Sequence, residues 1–263
     1  MIPNVLTIAG SDPSGGAGIQ ADLKTFSALG CYGMAAMTAL TAQNTRGVSA
    51  IHEVPAYFVG AQLKALFEDV RIDAVKIGMV GNVEAIRTLA DMLQKHRPRN
   101  VVLDPVMVAQ SGDKLISSDA VTAMARYLIP LATVLTPNIP EAQVLLGHKF
   151  EGDMKAAARA LLKLECRGVL LKGGHLTGEH SNDVYADKNG ETVLEGDRIK
   201  TYNTHGTGCT LASALACYLA KGLPPVEASR AAKKYLTTAL LNADELDVGE
   251  GHGPVHHFHG LWK

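Results

Sequence analysis

Short hydrophobic runs alternate along the chain with segments whose apolar residues recur at helical spacing. The runs predict strands at residues 5–9, 73–77, 100–103, 133–135 and 169–171, with a further apolar run at 34–42. The helical spacing predicts helices at residues 19–29, 56–67, 83–95, 120–128, 141–146 and 153–165. Because the strands are continuously apolar and do not alternate with polar residues, both faces of their sheet should be covered. The pattern therefore predicts an α/β fold with a mostly parallel sheet flanked by helices.

A different pattern follows residue 180. Asn189-Gly190 stands between two short segments, 183–186 and 192–194, and this arrangement is a hairpin signal. Helical spacing returns over residues 209–221 and 225–242, before a tail rich in glycine and histidine. We therefore expect a small antiparallel hairpin insert. The sequence shows no linker, repeat or low-complexity segment, so we expect one domain over residues 1–263.

Composition narrows the function classes. The formal net charge is −1 and aromatic residues make up 5% of the chain, which argues against a nucleic-acid partner. No apolar run approaches the roughly 20 residues that span a bilayer, and the N-terminus is typical of a strand, not of a signal peptide. The four cysteines form no CxxC pair, which suits reduced thiols. We therefore expect a cytoplasmic protein that binds neither nucleic acid nor membrane.

Glycines and polar residues collect just after the predicted strands, at 12–18, 104–105, 136–138 and 172–174. In open α/β sheets, ligands bind outside the carboxyl ends of the strands. The candidate chemistry should therefore lie along one edge of the sheet, although it is spread over the whole sequence.

The clearest chemical signal is the segment Gly206-Thr207-Gly208-Cys209, which runs directly into an Ala/Leu-rich helical stretch. A glycine-rich turn that opens a helix leaves backbone N–H groups unpaired, and the positive end of the helix dipole adds to them. Together they form an anion site suited to a phosphate or to negative charge that develops during a reaction. Cys209 falls in the first helical turn, where a thiolate is favoured. These four residues are therefore candidate catalytic residues.

A second glycine-rich turn, at residues 16–21, fits a GxGxxA dinucleotide-binding fingerprint but lacks the acidic residue expected about 20 positions later. Dinucleotide binding is therefore disfavoured. Two interpretations stay open. The segment is either a tight turn with close helix packing, or a loop that folds over a substrate, with Asp12 and Gln43 available to hydrogen-bond it.

Five further positions could hold a nucleotide and its metal without a Walker motif, which the sequence lacks. Lys172 and Lys233 could supply charges to phosphates, although Lys233 could equally be a solvated surface residue. Asn138 and Glu141 fit a helix-capping pair. An equal alternative is an amide and a carboxylate near hydrated Mg²⁺, with Asp104 sharing the metal.

The tail carries His252, His256, His257 and His259, a tract that can bind zinc. It has no paired cysteine and no helical HExxH spacing. A tail folded over the domain is therefore the favoured interpretation.

Six ordered segments, at 9–24, 41–46, 76–79, 136–141, 172–175 and 203–209, together resemble the hydroxymethylpyrimidine/phosphomethylpyrimidine kinase family of the ribokinase-like superfamily. The resemblance runs nearly end to end and includes the tail. It implies a three-layer ribokinase-like fold, a homodimer, and two successive phosphorylations in thiamine biosynthesis that depend on ATP and Mg²⁺. The first would give the monophosphate of 4-amino-5-hydroxymethyl-2-methylpyrimidine, and the second its diphosphate.

The resemblance also implies roles for the candidate residues. Gln43 would hydrogen-bond the pyrimidine, in a pocket lined by Gly10, Met79 and Val106. Residues 206–209 would form the anion hole, and Cys209 would occupy the position of the catalytic base. The remaining implied contacts are Lys172, Lys233 and Asn138 for the nucleotide, and Asp104 and Glu141 for Mg²⁺.

Two other functions compete with this one. A pyridoxal/pyridoxine kinase of the same superfamily is the nearest alternative, because the resemblance extends to bifunctional relatives that carry the same cysteine. A sugar kinase fits less well, since those enzymes carry Asp where Cys209 stands. From another class, Cys209 and the nearby His205 could form the nucleophile and base of a thiol acyl transferase.

Overall fold

One mixed sheet organises the structure, a computed structural model that describes residues 1–108, 116–150 and 152–262. Its strands are β1 (Asn4–Ser11), β2 (Tyr32–Asn44), β3 (Gly47–Glu53), β4 (Ala74–Ile77), β5 (Val101–Leu103), β6 (Val134–Leu135), β7 (Gly168–Leu171), β8 (Asp183–Asp187) and β9 (Gly190–Leu194). In the described residues the nine strands lie in the order β3-β2-β1-β4-β5-β6-β7-β8-β9. The six strands from β2 to β7 in this order run parallel, while β3, β8 and β9 pair antiparallel at the two ends.

Eight helices connect and cover these strands in the described ranges. They are α1 (Gly18–Ala28), α2 (Ala56–Asp69), α3 (Val83–His96), α4 (Ser118–Tyr127), α5 (Ile139–Leu146), α6 (Met154–Leu162), α7 (Thr207–Ala220) and α8 (Pro225–Leu241). Short 3₁₀ turns lie at Ile129–Leu131 and Ala243–Glu245. No helix in these ranges combines the length and the apolar character needed to cross a membrane.

The helices form two layers, one on each face of the sheet. Helices α2 to α6 share one hydrophobic core with the sheet, and α1, α7 and α8 share the other. Side chains of successive strand residues point to opposite faces, so Leu6 and Ile8 of β1 pack with the first core while Val5 packs with the second. The predicted three-layer α/β fold is confirmed.

The predicted hairpin is also confirmed, and it extends the main sheet because β8 pairs with β7 along four residues. The sequence pattern missed β3, which pairs with the end of β2. Five of the seven β3 residues are exposed, so this strand has no buried apolar run to reveal it. The end of β2 and the start of β3 border the candidate site.

Candidate active site

A cavity of about 660 Å³ opens at the carboxyl ends of the parallel strands. Every candidate site residue named from the sequence lines it. These residues are Gly10, Asp12, Gln43, Met79, Asp104, Val106, Asn138, Glu141, Lys172, Gly206, Thr207, Gly208, Cys209 and Lys233. The topology thus brings together side chains from positions 10 to 233 at one edge of the sheet.

The segment 206–209 opens α7 at the floor of the cavity. Gly206 is the N-cap residue and has a left-handed φ of 78°. A Cβ at this position would lie 1.8 Å from the carbonyl oxygen of Gly16, so only glycine fits there. Within the described residues, the N–H groups of Gly208 and Cys209 have no protein acceptor. The helix therefore presents free donors and the positive end of its dipole to the cavity.

Cys209 lies in the first turn of α7 and lines the cavity. Burial raises the pKa of the Cys209 thiol to about 11, although the charge of Lys76 opposes the shift. The expectation that a thiolate is favoured here is therefore wrong, because desolvation outweighs the helix N-terminus. At neutral pH the group is a thiol.

Lys172 follows β7 and stands between two buried carboxylates. Its Nζ lies 2.8 Å from Oδ1 of Asp104 and 3.9 Å from Oε2 of Glu141. Burial by itself favours the neutral amine, but these two carboxylates raise the pKa of Lys172 above its ordinary value. A Cβ on Gly208 would lie 3.5 Å from Lys172 Nζ and 3.5 Å from Asp104 Oδ2, so both charged groups lie next to the start of α7. A fixed positive charge thus borders the anion site.

Asn138 and Glu141 form the capping box that the sequence allowed. The Asn138 side chain accepts from the Glu141 N–H at 2.9 Å, and Oε2 of Glu141 accepts from the Asn138 N–H at 2.8 Å. Burial raises the pKa of Glu141 to about 7, against the attraction of Lys172. The carboxylate of Glu141 thus faces the same buried charges as Asp104 while it caps α5.

Lys233 also lines the cavity. Its Nζ donates to Oδ2 of Asp183 at 2.8 Å and to the carbonyl of Ser181 at 2.6 Å. Lys234 is exposed and does not line the cavity. The structure therefore distinguishes two adjacent lysines that the sequence left equivalent.

The candidate acceptor pocket lies at the end of β2. The pairing of β2 with β3 shifts register between Ala42 and Gln43, an irregularity of the kind that redirects side chains. Gln43 contacts Thr41 and His205 through its amide. Nearby, a Cβ on Gly10 would lie 2.6 Å from the terminal carbon of Met79, so the two residues form a close apolar wall.

Asp12 builds the glycine-rich turn. Its Oδ1 accepts hydrogen bonds from the N–H and the hydroxyl of Ser14, and its Oδ2 accepts from the N–H groups of Gly16 and Ala17. Oδ2 also pairs with His205 at 2.8 Å. Both oxygens are therefore engaged within the turn, which gives Asp12 a role in shaping it, and because Asp12 also lines the cavity, its contact with a substrate stays a prediction. The close packing expected of a tight turn is present, because a Cβ on Gly18 would lie 2.3 Å from the Gly10 carbonyl oxygen, and the turn also borders the cavity, as the substrate-loop interpretation requires.

Sequence reasoning missed Lys76, which lines the cavity from β4 and is fully buried. Its Nζ lies 2.9 Å from each carboxylate oxygen of Asp22 on α1, and Ser213 of α7 donates to the same carboxylate. A lysine inside a strand of buried apolar residues was the available signal, because buried lysines are almost always paired.

The histidine-rich tail folds back onto the domain, as the favoured interpretation predicted. The N–H of His205 donates to the Gly253 carbonyl, and the N–H of Val255 donates to the His205 carbonyl. His257 is buried and its Nε2 lies 3.1 Å from the Thr210 hydroxyl. The tail thus contacts residues on both sides of the anion segment, His205 before it and Thr210 after it.

The geometry does not support a thiol acyl transferase. Nε2 of His205 faces Asp12 and Gln43, and within the described residues no hydrogen bond joins His205 to Cys209. The nucleophile–base pair that this chemistry requires is therefore missing from the described part of the chain.

Comparisons with known proteins agree with the geometry. The model of the phosphomethylpyrimidine kinase family matches residues 12–256. The hydroxymethylpyrimidine/phosphomethylpyrimidine kinase of Rhizobium meliloti is 53% identical over 261 residues, which cover 98% of each chain. The crystal structure of phosphomethylpyrimidine kinase from Clostridium difficile has a TM-score of 0.81 at 46% identity, and the match covers 90% of this chain and 99% of that one. The ADP complex of pyridoxal kinase from Staphylococcus aureus has a TM-score of 0.91 at 37% identity, with 99% and 95% covered.

Proposed function

The chain belongs to the phosphomethylpyrimidine kinase family, and on that premise we propose that it phosphorylates 4-amino-5-hydroxymethyl-2-methylpyrimidine twice, at the expense of ATP. The first transfer gives the monophosphate and the second gives the diphosphate, as a step of thiamine biosynthesis. The observation that carries this proposal is the convergence of free N–H donors at 208–209, the Lys172 cation and the Gln43 amide on one cavity.

The acceptor binds between Gln43 and the apolar wall of Gly10, Met79 and Val106 in this proposal. A neutral pyrimidine offers ring nitrogens and an amino group, and one amide can match both with its donor and acceptor. The apolar wall suits the faces of the ring. The hydroxymethyl group then points toward Cys209 and the opening of α7.

The anion segment stabilises the transferred phosphoryl group. Phosphoryl transfer through a loose transition state requires mainly alignment and charge stabilisation. The N–H groups of Gly208 and Cys209 and the charge of Lys172 supply both without reorganisation. Lys233 extends the positive wall toward the nucleotide phosphates, with Asn138 at the start of α5.

The carboxylates of Asp104 and Glu141 suit a divalent cation. Mg²⁺ typically keeps several waters and uses one or two protein carboxylates together with substrate phosphates. In the described part of the chain, no three His, Cys, Asp or Glu residues gather into a complete cage, and two buried carboxylates beside a phosphate site match that preference. Asp104 and Glu141 would hold the Mg²⁺, which would supply charge neutralisation for the phosphates.

Cys209 serves as the proton acceptor in the first transfer. The hydroxymethyl oxygen attacks the terminal phosphorus of ATP, the bond from that phosphorus to the ADP oxygen breaks, and the hydroxyl proton passes to the Cys209 sulfur. This role requires the thiolate, which the raised pKa makes the minor form at neutral pH. In the second transfer the attacking phosphate oxygen is already ionised, so no base is needed.

We also propose that the chain acts as a single domain, as a homodimer in the cytoplasm, in line with the expectations from the sequence. A pyridoxal kinase is the second candidate, because pyridoxal kinase from Staphylococcus aureus superposes at a TM-score of 0.91. The two functions share the fold and differ in the acceptor ring.

The experiment that tests the proposal supplies ATP, Mg²⁺ and the free pyrimidine alcohol, and follows both products by mass. We expect the monophosphate to appear first and the diphosphate after it. Pyridoxal is assayed in parallel at the same concentration. Transfer to pyridoxal alone would replace the proposal by the second candidate, and absence of ATP turnover with either acceptor would refute both.

A further inference from the structure

His205 stands between the glycine-rich turn and the acceptor pocket. Its Nε2 lies 2.8 Å from Oδ2 of Asp12 and 3.5 Å from Nε2 of Gln43. Backbone hydrogen bonds to Gly253 and from Val255 hold the residue, and only 6% of its surface is exposed. The ring is therefore fixed against the amide that is proposed to bind the substrate.

The proton on this ring can be placed. Burial alone would raise the pKa of Asp12, but hydrogen bonds from His205 and Ser14 lower it, so the carboxylate is ionised and only accepts. Nε2 of His205 must then carry the proton that lies between the two groups. A protonated Nε2 has no lone pair left and cannot accept a hydrogen bond from the NH₂ of Gln43.

The hydroxyl of Thr41 contacts the other end of the Gln43 amide. Its Oγ1 lies 2.8 Å from the Ser11 carbonyl oxygen and 3.2 Å from Oε1 of Gln43. The hydroxyl has one proton and the Ser11 oxygen is the nearer acceptor, so Oγ1 offers its lone pairs to Gln43. An amide nitrogen toward Thr41 and an amide oxygen toward His205 satisfy both neighbours. The structure has the reverse orientation, with Nε2 of Gln43 toward His205 and Oε1 toward Thr41, which sets donor against donor and acceptor against acceptor. A half-turn of the amide exchanges the two atoms and relieves both contacts, so the partners assign the nitrogen to the Thr41 side.

We propose that His205 and Thr41 are positioning residues that fix the orientation of the Gln43 amide and thereby make the pocket select a ring with an acceptor nitrogen beside an amino group. This inference rests on the proposed function. The fixed amide presents its remaining N–H and its oxygen in one order. A 4-aminopyrimidine matches that order, with its ring nitrogen accepting and its amino group donating. The 4-oxo analogue carries the reverse pair, a ring N–H and a carbonyl, and fits only if the amide turns over.

The test is the ratio of kcat/KM for the 4-amino substrate to kcat/KM for its 4-oxo analogue. We expect the full-length wild type to prefer the amino compound by roughly 10- to 100-fold, the effect of one or two mismatched hydrogen bonds. His205→Leu and Thr41→Val should each reduce this preference to about threefold or less, since each removes one of the two groups that orient the amide. The reduction should arise in KM, while kcat for the amino substrate changes less.

His257→Gln is the matched control, because His257 is also a buried histidine and contacts Thr210 of α7, but it does not line the cavity. It should keep the wild-type preference. Equal losses for both compounds, which leave the ratio unchanged in either folded variant, would overturn the inference. So would a lost preference in His257→Gln, since general loosening of the tail would then explain the effect.

Thr41→Val decides alone if His205→Leu does not fold, because Thr41 is only partly buried and its replacement keeps the shape of the side chain. A wild type that transfers no phosphate to the 4-amino compound would refute the proposed function. A wild type that does so, with variants of unchanged selectivity, would refute only the orientation of Gln43 by its neighbours.

Discussion

Lys76 and Asp22 form a buried ion pair at the edge of the cavity. Nζ of Lys76 lies 2.9 Å from both carboxylate oxygens, and both side chains have zero exposed surface. Thr7 and Ser213 donate to the same carboxylate, at 2.6 Å each. The pair joins β4 to α1 and α7 directly below the anion segment. It therefore couples the stability of the sheet to the position of the site.

Lys76→Met should destabilise the protein by about 3–5 kcal/mol, because it leaves the Asp22 carboxylate buried without its counter-charge. Urea unfolding followed by circular dichroism measures the change. The double variant Lys76→Met/Asp22→Asn should be more stable than the single variant, since no unpaired charge is left. A single variant within about 1 kcal/mol of wild type would show that the pair adds little.

The fold was predictable because its determinants are local. Residues 101–103 and 169–171 are apolar at every position, and buried parallel strands have that signature. The site was predictable as a set of residues at strand ends, but not as a set of contacts. Whether Glu141 caps α5 or faces Lys172 depends on the distance between segments that are 31 positions apart in the chain (172 minus 141). In the structure it does both.

Two site properties could not be predicted because they depend on the tertiary environment. The helix N-terminus by itself favours a thiolate at Cys209. In the folded chain, burial of this residue raises the pKa of the thiol and favours the protonated form. On sequence grounds Asp12 is available to hydrogen-bond a substrate, and the five donors that engage it come together only once the turn closes on itself and on His205. A local sequence pattern shows neither how deeply a group is buried nor which distant residues contact it.

Gly206→Ala should lower kcat by at least about 100-fold, the typical cost of a lost donor at such a site. The new Cβ would lie 1.8 Å from the Gly16 carbonyl oxygen, so the anion segment must shift. Steady-state kinetics with saturating substrates measures the effect. Gly222→Ala is the control at the other end of α7, since its φ of 91° is also left-handed but no atom lies within 4 Å of its Cβ position. Similar losses of kcat in both variants would contradict a specific role for residue 206.

Gln43→Leu should weaken binding of the pyrimidine alcohol by about 10–100-fold, because one or two hydrogen bonds to the ring are lost. The affinity for ATP should stay the same. Isothermal titration with each ligand separates the two. Gln143→Leu, which removes an amide that contacts the Phe150 carbonyl away from the cavity, should change neither affinity. An unchanged pyrimidine affinity in Gln43→Leu would exclude Gln43 from the acceptor pocket.

Cys209→Ala should slow the first transfer by about 10²–10⁴-fold and the second transfer much less, because only the alcohol must lose a proton. Single-turnover rates with the alcohol and with the monophosphate compare the two steps. In wild type, the first rate should rise about tenfold per pH unit from pH 7 toward the Cys209 pKa of about 11, as the thiolate fraction grows. The variant should lack this rise. Equal losses in both steps would remove the base role.

His257 should make the protein less stable in acid. Burial lowers the pKa of this imidazole to about 3, helped by the charge of Lys24. The unfolded chain binds a proton near pH 6.5, and the folded protein does not until about pH 3. Above pH 6.5 this group therefore leaves the free energy of unfolding at its full value. As the pH falls from 6.5 toward 3, the free energy of unfolding decreases by up to about 1.4 kcal/mol per pH unit.

His257→Gln removes that titration and should make the free energy of unfolding fall less steeply between pH 6.5 and 4.5. Urea unfolding at several pH values gives both slopes. His252→Gln is the control, because His252 lies in the same tail but is exposed. Its slope should match that of wild type. A wild-type slope in His257→Gln would contradict the prediction. The His257 imidazole of the wild type would then have to accept its proton inside the folded protein, with the tail still packed on α7.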